Sequence, residues 1–430
     1  MERAPASEQP LMEEGEARPS RKSITMWKNA VQDVQRAQKM RSRGLTISRA
    51  IPTKKPPHFI AGSRAMLASN RLYWLLLTVP LALIANALDW PIGVVFGLSC
   101  AAILPLAGLL GEATEQVAIH TSEVLSGLLN ATFGNATELI VAIFALQHGL
   151  LTVVQVSLLG SILSNTLLVL GCACLAGGIR TTTPKFNKVA AISNATLLQI
   201  AVLGLLVPTL LDGVGQLQRH DATDLQLSRG ISIGLFILYI LYIYFQLFTH
   251  RNLFEDDAAG GAEDDDGEED PVYLTLAGGC VWLAVVTVLI ALLSEQLTTT
   301  LEGAAAAWHL GEAFVGFVLL PIAGNAAEHS TAVTMAYKGK MDVALGVALG
   351  SSTQIALFVI PVMVLLGWVM DQPLDLQFGL FETCIVFMSS LIVFFIVQNG
   401  ETNWLEGVML LFSYCIICFA FFFFETSSPA

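Results

Sequence analysis

Apolar residues run in long stretches separated by short polar ones. Eleven of these stretches are long enough to cross a bilayer as helices, which takes about 20 residues each. Their limits are 72–88, 92–110, 125–147, 151–177, 188–211, 229–248, 273–293, 312–336, 341–370, 376–398 and 404–424. Only Asp89-Trp90-Pro91 separates the first from the second, which predicts a tight hairpin. The fourth and ninth are longer than a straight crossing needs, so they are expected to tilt or break. Residues 1–70 are polar and rich in Pro, Ser and Arg, and are expected to be mostly disordered. Within them Ile24, Trp27, Val31 and Val34 recur at helical spacing among Lys28, Arg36, Lys39, Arg41 and Arg43. That pattern fits a basic amphipathic helix on an anionic membrane surface, and it fits a plain solvated arm as well.

The predicted fold class is therefore all-α: a polytopic membrane protein with eleven transmembrane helices. The placement of Lys and Arg tests this pattern. With the N-terminus in the cytosol, the cytosolic side holds 14 positive residues in the arm up to Arg71, plus Arg180, Lys185, Lys188, Arg251, Lys338 and Lys340. That is 20 of 22, and only Arg219 and Arg229 fall on the other side. Positive charge is retained on the cytosolic side, so the bias supports an N-in, C-out topology. Setting the first helix aside leaves five helices in each half. An odd number per half forces the halves into opposite orientations, an inverted 5+5 repeat. The expected organisation is a cytosolic basic arm over 1–71, regulatory in one reading, then an extra transmembrane helix over 72–88. A first transmembrane repeat follows over 92–250, then an acidic cytosolic linker over 251–272 and a second repeat over 273–425.

Composition agrees. Of 430 residues, 54% are hydrophobic and 13% charged, with a mean hydropathy of +0.65. A soluble domain carries about 25% charged residues. The net charge of −13 is local in origin: ten of the 35 acidic residues lie between Glu255 and Asp270. That run reads as a solvated linker or as a weak collector of divalent cations, and it lacks the fixed spacing of an EF-hand loop. The cysteines all lie in apolar stretches and are expected to be small packing residues, with no disulfide framework. No apolar signal segment opens the chain.

One phrase occurs twice inside the apolar stretches. Gly134-Asn135-Ala136-Thr137-Glu138-Leu139 returns 190 residues later as Gly324-Asn325-Ala326-Ala327-Glu328-His329. At the same offset Gly160-Ser161-Ile162-Leu163-Ser164-Asn165 aligns with the segment from Gly350-Ser351-Ser352-Thr353-Gln354. A carboxylate at bilayer depth costs about 2.5–3.5 kcal/mol on insertion scales, so two at matched positions point to function. Asn135 with Glu138, and Asn325 with Glu328, share a helix face. Gly134 and Gly324 weaken the helix beside them and can free backbone carbonyls. The cluster is all oxygen, which suits a hard cation, above all Ca2+. Two close carboxylates in a low dielectric cannot both stay ionised and empty. A divalent cation or protons can neutralise them, and the two occupancies exclude each other.

The supporting candidates are His329, Ser161, Ser164, Asn165, Ser351, Ser352, Thr353 and Gln354. They could orient the carboxylates or hold a proton, or simply hydrogen-bond between helices. Glu112 and Glu115, with Asp264, Asp265, Asp266, Glu268 and Glu269, are candidates for a cytosolic cation entrance. No cofactor is expected, since Ca2+ and H+ are substrates. The expected partners are these ions, Mn2+ or other divalent cations, and membrane lipid. Nucleic acid is not among them, and a homo-oligomer stays open.

These residues resemble a known family. Gly127-Leu128-Leu129-Asn130-Ala131-Thr132-Phe133 through Glu138, and Leu320-Pro321-Ile322-Ala323-Gly324-Asn325-Ala326-Ala327-Glu328-His329, resemble the two signatures of the cation/proton exchangers. These are calcium/proton antiporters of vacuolar membranes. Gly160 through Asn165 and Leu345 through Ser352 fit the family as well, and Ala113-Thr114-Glu115-Gln116 and Phe186-Asn187-Lys188 resemble its plant or algal type. The resemblance covers roughly residues 70–425. It implies eleven helices, an acidic cytosolic segment between halves, and export of cytosolic Ca2+ into the vacuole against H+. It also implies that Glu138 and Glu328 are the alternating ligands, supported by Asn135 and Asn325, and that the basic arm is autoinhibitory. A sodium-coupled exchanger and a passive cation channel are the alternatives. An enzyme is disfavoured, because the chain has no His-Glu-x-x-His motif and no convincing nucleophile arrangement.

Overall fold

The computed structural model describes residues 58–214, 222–250 and 272–423. The stretch from Ile24 to Val34, the acidic run with Asp264, Asp265, Asp266, Glu268 and Glu269, and Arg219 lie outside the described residues. Every regular element among the described residues is a helix, and one isolated bridge joins Lys185 and Glu401 in the loops.

The helices are α1 Phe59–Ser69, α2 Arg71–Ala87, α3 Ile92–Ile119, α4 Glu123–Phe133, α5 Ala136–Gln147, α6 Leu151–Arg180 and α7 Lys188–Gly213. They continue with α8 Thr223–Thr249, α9 Leu276–Trp308, α10 Glu312–Gly324, α11 Ala326–Tyr337, α12 Met341–Val369, α13 Leu380–Val397 and α14 Trp404–Phe423. Eight of these are long and apolar enough to cross a membrane. Two bent pairs also qualify when each is taken together: α1 with α2, at 107°, and Val124–Phe133 with α5, at 43°.

Several elements differ from the expectation in instructive ways. Residues 59–69, expected in a disordered arm, form α1. This helix is held by tertiary contacts that composition does not reveal. Gly62 lies against the Tyr273 carbonyl, and Trp282 Nε1 donates to Ser63 Oγ at 2.8 Å. Helix α3 runs nine residues past the apolar stretch expected to end at 110. Glu112 and Glu115 are therefore on the helix, not beyond its end. Helix α9 likewise continues to Trp308, well past 293. The two long helices pack on each other at close approaches: Gly93 on Trp308, Gly303 on Ile92 and Gly279 on Val117. Small residues at such crossings replace the hydrophobic drive that lipid removes.

The expected hairpin is present, with Asp89 in the left-handed region at φ 52°. Among the eight long helices α6 is the most enclosed, whereas α8 and α14 are the least. In α6 and α12 the regular ladder widens into π turns, at Ser164–Val169 and Ile355–Val359. Each follows a Gly-Ser motif directly, and π turns inside α-helices tend to occur at functional sites. These turns are how the two overlong stretches are interrupted.

Candidate functional site

The chain breaks its helices where the repeated phrase sits. Asn135 (φ −112°, ψ 24°) separates α4 from α5, and Asn325 (φ −88°, ψ 16°) separates α10 from α11. Glu138 and Glu328 then fall in the first turns of α5 and α11. The positive end of each short helix faces its own carboxylate, and the carbonyl end of the preceding helix lies beside it. Both features favour a bound cation and a charged ligand at one place.

The two breaks meet. Glu138 Oε1 lies 3.4 Å from where a Cβ on Gly324 would stand. The Glu138 carboxylate thus lies against the other half's break. Neither Glu138 oxygen has a hydrogen-bond partner, and neither does Glu328 Oε2. Glu138 is 7% exposed. Buried polar atoms are normally satisfied, so this cluster calls for an ion, a proton or water.

Each asparagine reaches across to the opposite half. Asn135 Nδ2 donates to Gln354 Oε1 at 2.6 Å, and Asn325 Nδ2 donates to the Ser161 carbonyl at 3.3 Å. The Oδ1 atoms of Asn135 and Asn325 remain buried without partners. They stay available as ligands. His329 Nδ1 contacts the Asn325 carbonyl at 2.7 Å, and its Nε2 is buried without a partner. Ser164 Oγ and both side-chain atoms of Asn165 are buried and without partners too. Ser352 Oγ donates to the Ala348 carbonyl at 2.9 Å within α12, and Thr353 Oγ1 donates across to the Asn194 carbonyl of α7 at 3.2 Å.

A cavity of about 670 Å3 reaches the site. Gly134, Thr137, Gly324, Glu328, Ser351 and Gln354 line its inner part. Phe186, Asn187, Gln246 and Asp342 line its outer part, beside the turns that carry Arg180, Lys185, Lys188, Lys338 and Lys340. Glu138 faces elsewhere. It borders a space of only about 30 Å3, closed by Ile103, Leu158, Leu297, Leu320 and Pro321. The two carboxylates are thus equivalent in sequence but not in access.

The small space and the large cavity are lined by corresponding positions of the two sequence halves. Of the twelve residues lining the small space, all but Ile103 and Leu158 have their counterpart, at the 190 offset, in the lining of the large cavity. Glu138 pairs with Glu328 in this way, Ser161 with Ser351, and Pro321 with Ala131.

A second cavity, about 510 Å3, adjoins the first through Gly111, Ala327 and Thr331. Glu112 and Glu115 line it. Glu112 accepts from Tyr73 Oη at 2.6 Å and from Ser69 Oγ at 3.0 Å.

Some residues of the site carried no signal in the repeat. Asn130, Asn194 and Asp342 line the cavity. Asn194 accepts from Tyr242 Oη at 2.7 Å. An amide within the apolar stretch of α7 was the available clue. A further buried polar knot lies between α6 and the loop before α13. Gln155 Nε2 donates to Asp375 Oδ1 at 2.8 Å and to the Gln377 carbonyl at 3.3 Å.

Comparison with known proteins agrees with this architecture. The family model described as sodium/calcium exchanger protein matches residues 91–248 and 278–423. "Vacuolar cation/proton exchanger 3" of Oryza sativa subsp. japonica is 45% identical over 363 residues, covering 84% of this chain and 87% of the relative. "Vacuolar calcium ion transporter" of Schizosaccharomyces pombe is 42% identical over 363 residues, again covering 84% and 87%. The solved structure of the Ca2+/H+ antiporter protein YfkE superposes with a TM-score of 0.69 at 35% identity, covering 83% of this chain and 100% of that one. This chain belongs to the sodium/calcium exchanger protein family, beside its vacuolar cation/proton exchangers.

Proposed function

We propose that the protein is a secondary active antiporter. It exchanges cytosolic Ca2+ for lumenal H+ across the vacuolar membrane, with Glu138 and Glu328 taking the cation or protons alternately. The observation that carries this reading is the pair of matched carboxylates, one in an open cavity and one beside a small space lined by corresponding positions. A single site that faces two compartments in turn needs such a pair of mirrored routes. The names of the relatives favour calcium and protons as the exchanged ions.

In this reading the chain crosses eleven times as an inverted repeat plus α2, with α4–α5 and α10–α11 each counting as one broken crossing. The large cavity lies beside the positively charged turns, which by the charge rule marks the cytosolic side, with the C-terminus lumenal. Calcium enters past Glu112 and Glu115 or along the wall at Asp342. It meets Glu328 first, then Glu138, the Asn135 and Asn325 oxygens and the carbonyls freed at the breaks. Once the cavity closes and the lumenal route opens, protons from an acidic lumen displace it. The protonated carboxylates are neutral, so the empty site can return. His329, Ser161, Ser164, Asn165, Ser351 and Gln354 support the ligands or relay protons.

The test is ⁴⁵Ca uptake by proteoliposomes under imposed gradients. Uptake driven by an acidic interior, and not by internal Na+, is the expected result. Uptake driven only by Na+ would assign sodium coupling, and flux without either gradient would assign a channel.

A further inference from the structure

We propose that Gly350 is the empty seat of the second gate, the mirror image of a contact that Gly160 already makes on the closed side. The inference rests on the two-route reading above, and on the correspondence of the halves at the 190 offset.

Gly160 sits where α6 crosses α10. A Cβ there would stand 2.2 Å from the Phe317 carbonyl and 2.8 Å from Pro321 Cγ. Nothing larger than glycine permits that approach, and Pro321, together with Gly160's neighbour Ser161, lines the small space beside Glu138. Its counterpart, Gly350, has no atom within 4 Å of the same point and lines the open cavity. The partners correspond as well. Phe317 maps to Gly127 and Pro321 to Ala131, and both of these also line the cavity. The three positions are thus in contact on one side of the site, and their three counterparts are parted on the other.

The physical consequence is a requirement for glycine that the present conformation does not itself impose. With Gly350 surrounded by space, a larger side chain fits the structure as it stands. It clashes only when α12 closes on α4, as α6 has closed on α10. Overpacking a tight contact by one side chain shifts an equilibrium on the order of tenfold or more against the packed state. A bulky residue at Gly350 therefore selects against the state open to the lumen, and leaves the fold and the cytosol-open state intact. Gly160 is the opposite case: bulk there opposes the conformation described here.

The experiment uses Gly350→Leu, with Gly230→Leu as control. Gly230 also has open space around it but lies on α8, away from the cavity lining. Each is combined with a reporter cysteine at Val347, a cavity-lining position, in full-length protein whose native cysteines are replaced by serine or alanine. The rate of labelling by a water-soluble maleimide reports how often the cavity is open, whether or not transport occurs. Expected for Gly350→Leu is labelling as fast as in the parent or faster, with ΔpH-driven ⁴⁵Ca uptake reduced about tenfold or more. Gly230→Leu should match the parent in both. Parental uptake by Gly350→Leu, or slower labelling at position 347, would overturn the proposal. If the parent itself exchanges no calcium for protons, the transport reading fails, and the labelling rate alone still decides whether the seat exists.

Discussion

Ser352 Oγ lies 3.5 Å from the carbonyl oxygen of Ile162, the residue 190 positions before it. The Gly-Ser segments of the two sequence halves therefore touch directly. The asparagine cross-links lie around this contact. Asn135 reaches Gln354 and Asn325 reaches Ser161, so each half positions its carboxylate-bearing helix on the other half's Gly-Ser helix. The site is an interface between halves and cannot be assembled by one alone.

Replacing either carboxylate by its amide keeps the shape and removes one charge. One remaining carboxylate cannot balance a divalent cation in a low dielectric. Glu138→Gln and Glu328→Gln should each lower ΔpH-driven uptake at least about a hundredfold, more than loss of a supporting partner does. Both variants should elute from gel filtration like the parent. Near-normal uptake by either one would remove it from the site.

Much of this was legible in the chain before any coordinates. The repeated Gly-Asn-Ala phrase marked a weakened helix at Gly134 and Gly324, and the breaks fall one residue on, at Asn135 and Asn325, in stretches read as single crossings. Periodicity found the long helices but misjudged their ends. Glu112 and Glu115 look like a terminus by composition, yet they lie on α3, where Tyr73 and Ser69 donate to Glu112. Helix α1 was missed because its stability comes from contacts with Tyr273 and Trp282, more than 200 residues away in sequence. The unequal access of Glu138 and Glu328 was not legible at all. It belongs to a conformation, and one sequence specifies both conformations.

The Asn135–Gln354 link should behave as a unit. Gln354→Ala leaves the Asn135 amide without its acceptor in a buried place, at a cost of about 1–3 kcal/mol. Uptake should fall roughly three- to tenfold in either single alanine variant, and the double variant should lose little more than the worse single. Additive losses would mean that the two side chains act separately.

The segment after the acidic run is anchored by α3. Gln116 Oε1 accepts from the backbone N–H groups of both Tyr273, at 2.8 Å, and Leu274, at 3.1 Å. His120 Nε2 contacts the Leu274 carbonyl at 2.8 Å. Gln116→Leu is similar in size but strands two donors, costing about 2–4 kcal/mol. Thermal unfolding in detergent should shift down by several degrees. Gln116→Glu, which can still accept both bonds, should recover much of the loss; an unchanged midpoint in Gln116→Leu would show that the anchor contributes nothing.

The N-terminal arm offers a sharper boundary than composition alone provides. The contacts that fix α1 start at Phe59, which packs near Gly278, and include Gly62 against Tyr273 and Ser63 with Trp282. A truncation that removes residues 1–57 spares all of them. One that removes 1–69 exposes the Tyr273 carbonyl and deprives both Trp282 Nε1 and the Glu112 carboxylate of a hydrogen-bond partner. If the arm inhibits, the shorter truncation should raise the rate of calcium uptake at unchanged thermal stability. The longer one should lower stability whatever it does to the rate. Equal stability of the two truncated proteins would show that α1 is an ornament of the fold, and equal uptake by the shorter one and the full chain would leave the arm without an inhibitory role.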